Sequence, residues 1–285
     1  MNSRTLFSRL ALASGLSLAS LALTTSPASA HRFWLVPSAT TLSGTDQTIS
    51  FDGAISNDLF NPDHVAMPLE ILTIVKPDGS QGEMLNAAKA RHRSTFDVAI
   101  DQEGTWWVGV TRQGYFGSFK LNGEEWRVGG RGRPRPGDKR VDGVDAIPEG
   151  ASDIDLTENF STNGTFVTSG IPDTDAFTPT GKGLELQPLT HPDDLVANEP
   201  GRFRFLIDGK PAAGVKVTAV PGSKQYRSSE MVTTVETGAD GIATIAWPTP
   251  GMYWIDAQAE DANPAEPRAT KRRMGYTFTA EVVAP

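Results

Sequence analysis

The chain contains no cysteine. That excludes disulfides, and it excludes thiolate ligation of any metal, so a metal site here must use nitrogen and oxygen ligands. The six methionines are scattered and one is Met1, which leaves no thioether-rich Cu(I) site. Histidine is scarce, with four in 285 residues. Basic residues are in deficit, 26 Lys and Arg against 34 Asp and Glu. Nucleic acid is therefore a poor partner, because phosphate binding needs cations to displace counterions. Catalytic signatures are missing too: no Gly-rich phosphate cradle, no His-Glu-x-x-His and no Gly-x-Ser-x-Gly. Carboxylates are plentiful, but nothing in their spacing singles out a glycosidase pair. On these grounds the chain is expected not to be an enzyme.

Helical periodicity is scarce, and no stretch beyond residue 30 approaches the roughly 20 apolar residues that a membrane helix needs. The N-terminus has its own pattern. Arg4 and Arg9 form a positive region without acids, Leu10 to Leu23 is apolar, and Ala28-Ser29-Ala30 is a small-residue cleavage pattern. Together they predict a signal peptide over 1–30, export to the periplasm and a mature start at His31. Loss of the two arginines takes the formal charge from -8 to -10. The mature chain then has no transmembrane segment.

What is abundant is Gly (28) and Pro (20), between short runs that alternate apolar and polar residues. Arg32 to Val36, Thr48 to Phe51, Leu69 to Val75, Ser94 to Ile100 and Thr105 to Thr111 read as strands. So do Phe203 to Ile207, Val215 to Val220, Met231 to Val235, Ile242 to Trp247, Tyr253 to Ala257 and Tyr276 to Val283. Turn sequences such as Pro77-Asp78-Gly79 and Asp240-Gly241 separate them. The pattern predicts an all-β chain of two tandem immunoglobulin-like β-sandwiches, over 31–187 and 188–285. An internal echo supports the pairing: Gly104-Thr105-Trp106-Trp107 resembles Gly251-Met252-Tyr253-Trp254, a turn glycine followed by two aromatics. Between Gln113 and Gly164 the alternation dissolves around a Gly-, Pro- and Arg-rich stretch, 129–140, which reads as a solvated insertion loop.

His31 is the most informative residue. Cleavage before it would free an α-amine beside its imidazole, and these two nitrogens can chelate one ion. A second imidazole would complete the planar nitrogen set called a histidine brace, which suits Cu(II) or Ni(II). The amine titrates near about 7.7–8, so binding must release its proton and weaken in acid. His64 lies in the loop Asn57-Asp58-Leu59-Phe60-Asn61-Pro62-Asp63-His64, and reads either as a ligand or as a loop hydrogen-bonder. Asp58 is a carboxylate candidate in the same loop. His191, in Thr190-His191-Pro192-Asp193-Asp194, reads either as a further ligand or as a bridge between backbone groups. His92 lies between Arg91 and Arg93, so it is set aside as an exposed, structural residue.

These residues carry a family resemblance. His31-Arg32-Phe33-Trp34-Leu35-Val36-Pro37, Ser56-Asn57-Asp58-Leu59-Phe60, Gly181-Lys182-Gly183-Leu184-Glu185-Leu186-Gln187-Pro188-Leu189-Thr190-His191-Pro192-Asp193-Asp194-Leu195 and Asp208-Gly209-Lys210-Pro211 resemble the bacterial periplasmic family termed domain of unknown function 4198. The resemblance implies export, β-sandwich domains and a link to nickel or cobalt uptake. The leading expectation is a periplasmic binding protein for nickel, cobalt or copper, with His31, His64, Asp58 and His191 as metal ligands and a membrane transporter as partner. The rival expectation is a non-metal module that binds protein or glycan through its loops, with Tyr115, Phe116 and Trp126 as contacts. A copper-brace oxidase acting on polysaccharide is a third reading.

Overall fold

The computed structural model describes residues 31–130 and 135–285. The signal peptide expected over 1–30 and residues 131–134 of the basic stretch lie outside the described residues.

The first half contributes β1 (Arg32–Pro37), β2 (Thr41–Leu42), β3 (Gln47–Ser56), β4 (Val65–Ala66), β5 (Thr73–Val75), β6 (Leu85–Lys89), β7 (Ser94–Ile100), β8 (Gly104–Leu121), β9 (Glu124–Val128), β10 (Arg140–Val141) and β11 (Ser152–Ser169). The second contributes β12 (Leu184–Pro188), β13 (Leu195–Val196), β14 (Pro200–Ile207), β15 (Lys210–Pro211), β16 (Lys216–Pro221), β17 (Thr233–Glu236), β18 (Ile242–Ala246), β19 (Gly251–Asp261) and β20 (Lys271–Val283). The all-β, immunoglobulin-like reading holds. Leu69 to Val75 differs in detail: Leu69–Ile71 is a single 3-10 turn entered from Pro68, and only Thr73–Val75 joins a sheet. Proline has no N–H for a ladder and so stands outside the strand.

The strands form three sheets. A small one is ordered β1-β3-β7-β6, with β4 also on β3; another joins β12, β14, β15 and β18. The third has eleven strands and runs β10-β9-β8-β11-β20-β19-β16-β17, with β2, β5 and β13 at its margins. The first core lies between the small sheet and the β8–β11 part of the large one, around Leu35, Phe51, Phe96, Trp106, Val108 and Val167. The second lies between the β12–β14–β18 sheet and the β16–β19–β20 part, around Phe203, Phe205, Trp247, Tyr253, Ile255 and Phe278. Burial of these large rings is the main favourable term in each sandwich.

The echo read in the sequence has a structural counterpart. Gly104 and Gly251 both take positive φ, 114° and 134°, where they open β8 and β19. Two residues on, Trp106 and Tyr253 are buried in the first and second cores. Where the alternation dissolves, β8 runs on to Leu121, β9 and β10 follow, and β11 begins at Ser152, while the described residues of 129–139 join no strand. A third small core gathers Phe119, Val128, Val144, Leu156 and Ala269. Glycines at 114 and 117 interrupt the apolar alternation of β8, which is why the sequence pattern fades there.

Candidate metal centre

Strand β3 brings His31 to His64 of the loop. On one side β1 pairs with it, Arg32 opposite Ser56 and Phe33 opposite Ile55. On the other side β4 pairs Val65 with the same Ile55. His31 and His64 therefore each stand one residue beyond a strand end, on opposite flanks of β3 where it stops. Their rings stack with centroids 3.8 Å apart and planes 3° from parallel. Both residues are exposed.

The strand that carries His31 is held firmly. Trp34 Nε1 donates to Ser56 Oγ at 2.6 Å, and the buried Trp34 packs with Leu59 and Val220. The Phe33 carbonyl accepts from Trp254 Nε1 at 3.0 Å and from Asn163 Nδ2 at 3.3 Å. Arg32 pairs with Glu230 and lies 5.3 Å above the Trp254 ring. The Arg32 guanidinium beside Glu230 holds that carboxyl below its usual range. Residue 31 thus leaves a fixed strand end.

His92, set aside in the sequence as structural, stands beside His64. Its Nδ1 lies 2.6 Å from the His64 carbonyl oxygen. A carbonyl only accepts, so Nδ1 carries the hydrogen and the neutral ring keeps its lone pair on Nε2. One flanking cation is also partly offset, since Arg93 Nε lies 3.4 Å from Asp52. The available signal was positional. Ser94 Oγ donates to the Met67 carbonyl at 2.6 Å, so residues 92–94 run beside 64–67.

Asp58 and His191 are not brought to the pair. Asp58 accepts from Lys224 Nζ at 3.0 Å, a hydrogen bond that raises the lysine's pKa. His191 Nδ1 accepts the Asp193 backbone N–H at 3.1 Å, and Nε2 is left to donate to Thr105 Oγ1, also at 3.1 Å. Its ring packs edge-on against Phe177. Both nitrogens are spent within the fold, and burial lowers its pKa, which keeps the ring neutral. The bridging reading fits these contacts better than the ligand reading.

The donor set can be weighed for an ion. Among the described residues no three His, Cys, Asp or Glu side chains converge on one metal position. The stacked imidazoles are two borderline nitrogen donors of the kind that nickel, cobalt and copper take. Face-to-face rings hold their lone pairs in parallel planes, so one ring must turn to share an ion. Exposure leaves room for that turn. The third donor is the His31 α-amine, which exists only after a cut at 30/31.

The rival contact set divides. Phe116 is 46% exposed, whereas Tyr115 and Trp126 pack against the third core. Neighbours along a strand face opposite ways, so these three rings form no single patch. A family model described as Domain of unknown function (DUF4198) matches residues 28–261. No curated protein matches the chain. Among solved structures, the D0-D1 domain of Intimin is similar at 12% identity over 87% of this chain and 96% of that one, with a TM-score of 0.22. Trypsin-activated alpha-2-macroglobulin from Escherichia coli is similar at 13% identity and a TM-score of 0.22, over 92% of this chain but only 16% of that chain's length. Likenesses this distant carry no functional argument.

Proposed function

The chain belongs to the family described as domain of unknown function DUF4198, a description that assigns no activity, and we propose that it is an exported carrier of one divalent transition-metal ion. Nickel, cobalt or copper is bound in the periplasm at the His31 and His64 imidazoles and the His31 α-amine. The ion is then handed to a membrane transporter. The observation that carries this reading is the contact between His31 and His64, two of only four histidines, across the end of β3. His92, through its hydrogen bond to the His64 carbonyl, steadies the loop that carries His64. The fixed β1 end supports the reading, because a preorganised strand spares part of the ordering cost of binding.

The test is calorimetric titration of Ni(II), Co(II) and Cu(II) into protein whose first residue is His31. His31→Ala, His64→Ala and a version with one glycine added before His31 are the comparisons. Each change should weaken uptake of the preferred ion at least about tenfold, since each removes a first ligand. Uptake should also fall as pH drops, because binding must displace protons from its donors. Equal uptake by wild type and His31→Ala, or no uptake of any of the three ions, would overturn the proposal.

A further inference from the structure

The face of the large sheet that β1 covers continues outward into an open groove of about 1020 Å³. Strand register fixes which side chains share that face. Along β8 and β11, Arg112 stands opposite Ser161, Gly114 opposite Asn159 and Phe116 opposite Thr157. On the far side of β11, Arg273 of β20 stands opposite Asn159. Directly paired residues project to the same side, and alternate residues repeat it. Val65, the neighbour of His64, forms part of the opposite wall together with Lys89.

The charge of this groove runs against that of the molecule. Lys89, Arg112 and Arg273 line it, and among the described residues no Asp or Glu does. Yet acids outnumber bases 34 to 26 over the whole chain. Arg273 Nε meets Glu260 at 2.9 Å, with both side chains more than half exposed. Such a pair is worth little and exchanges readily for another carboxylate. Arg112 and Arg273 rise from strands on either side of β11 at positions two residues apart along it, so their Cα atoms stand about 12 Å apart. Guanidinium forks match carboxylates in two-point geometry. Asn159 and Ser161 supply amide and hydroxyl partners on the floor between them.

We propose that this groove binds a small organic polycarboxylate, with Arg112 and Arg273 taking separate carboxylate groups and Lys89 adding charge from the wall. A small ligand suits the site, because its three cationic side chains stand within one groove. The proposal rests on the lining charges and the strand register, and it does not require a metal at His31 and His64.

The test uses tricarballylate, a flexible tricarboxylate, titrated into protein freed of metal on a chelating resin. Wild type should bind it, and the Lys89→Ala/Arg112→Ala double variant should bind at least about tenfold more weakly, the scale of one lost charge-assisted contact. Lys216→Ala, outside the groove, should bind like wild type, and so should His31→Ala. Added salt should weaken binding. Absence of binding, equal binding by the double variant, or equal binding of the polycation spermidine would overturn the proposal. Loss of nickel uptake with tricarballylate binding retained would count against the metal reading alone.

Discussion

Asp193 is the most perturbed carboxyl among the described residues. Burial, with Asp194 and Glu281 adding like charge, pushes it up to about 7 from an ordinary 3.8, against the Thr168 hydroxyl that donates to it at 2.6 Å. Its Oδ1 is buried without a partner, which is costly for an ionised oxygen. The sign follows from proton linkage. Between 3.8 and about 7 the folded chain keeps the proton that the unfolded chain has lost, so stability falls as pH rises through that window. Asp193→Asn removes this slope. Urea midpoints taken at about pH 4.5 and about pH 7.5 should show the variant gaining on wild type at the higher pH. An equal offset at both pH values would refute the assignment. At this same scale His31 and His64, whose rings meet, were legible in the sequence as candidates, because histidine is rare and His31 follows a cleavage pattern. Asp58 and His191 were not resolved there. Lys224, which occupies Asp58, lies 166 residues along the chain, and Thr105, which occupies His191, lies 86 away. Composition cannot show which side chain a distant partner will claim.

Among the elements, β8 and β11 show what strand patterning reveals and what it hides. Their alternating cores, with Trp106 and Val108 on one and Val167 on the other, follow from period-two apolar residues. The pairing of Gly109 directly opposite Gly164 does not. Neither glycine needs a left-handed conformation; each is there because backbones and the Trp107 indole pack closely around them. A Cβ at Gly109 would stand 2.4 Å from the Asn163 carbonyl oxygen and 2.7 Å from the Gly164 Cα. Gly109→Ala should therefore cost about 1–3 kcal/mol, because the obstructing atoms are backbone and have nowhere to turn. Equilibrium urea unfolding measures it, and a variant as stable as wild type would show that the two strands can spread at no cost. The segment after residue 112 was hidden for a related reason. Its glycines and isolated buried apolar residues, Phe119 and Leu156, serve a small third core that is too sparse to impose a clear alternation.

At the scale of the molecule, the two sandwiches are not joined by a linker alone. Nine consecutive residues of β11, Thr157 to Thr165, pair in parallel with Lys271 to Thr279 of β20, and a single sheet runs through both halves. Parallel pairing between strands more than a hundred residues apart leaves no local turn signal, so this junction was not readable from spacing. The cores are shared as well. Phe166, on β11 of the first half, belongs to the second core, where its ring lies 4.5 Å from Phe177 and 6.2 Å from Phe278. Unfolding the first half would strip β20 of its ladder and remove Phe166 from the second core. The halves should therefore unfold together. Trp106 is buried in the first core and Trp247 in the second, so fluorescence of Trp106→Phe and Trp247→Phe weights the transition toward opposite halves. Corrected for each variant's own stability, both curves should coincide with far-UV circular dichroism of the same protein, as a two-state transition requires. Two resolved transitions, with the Trp106→Phe signal moving at a different urea concentration from the circular dichroism, would mean that the β11–β20 ladder transmits too little energy to couple the sandwiches.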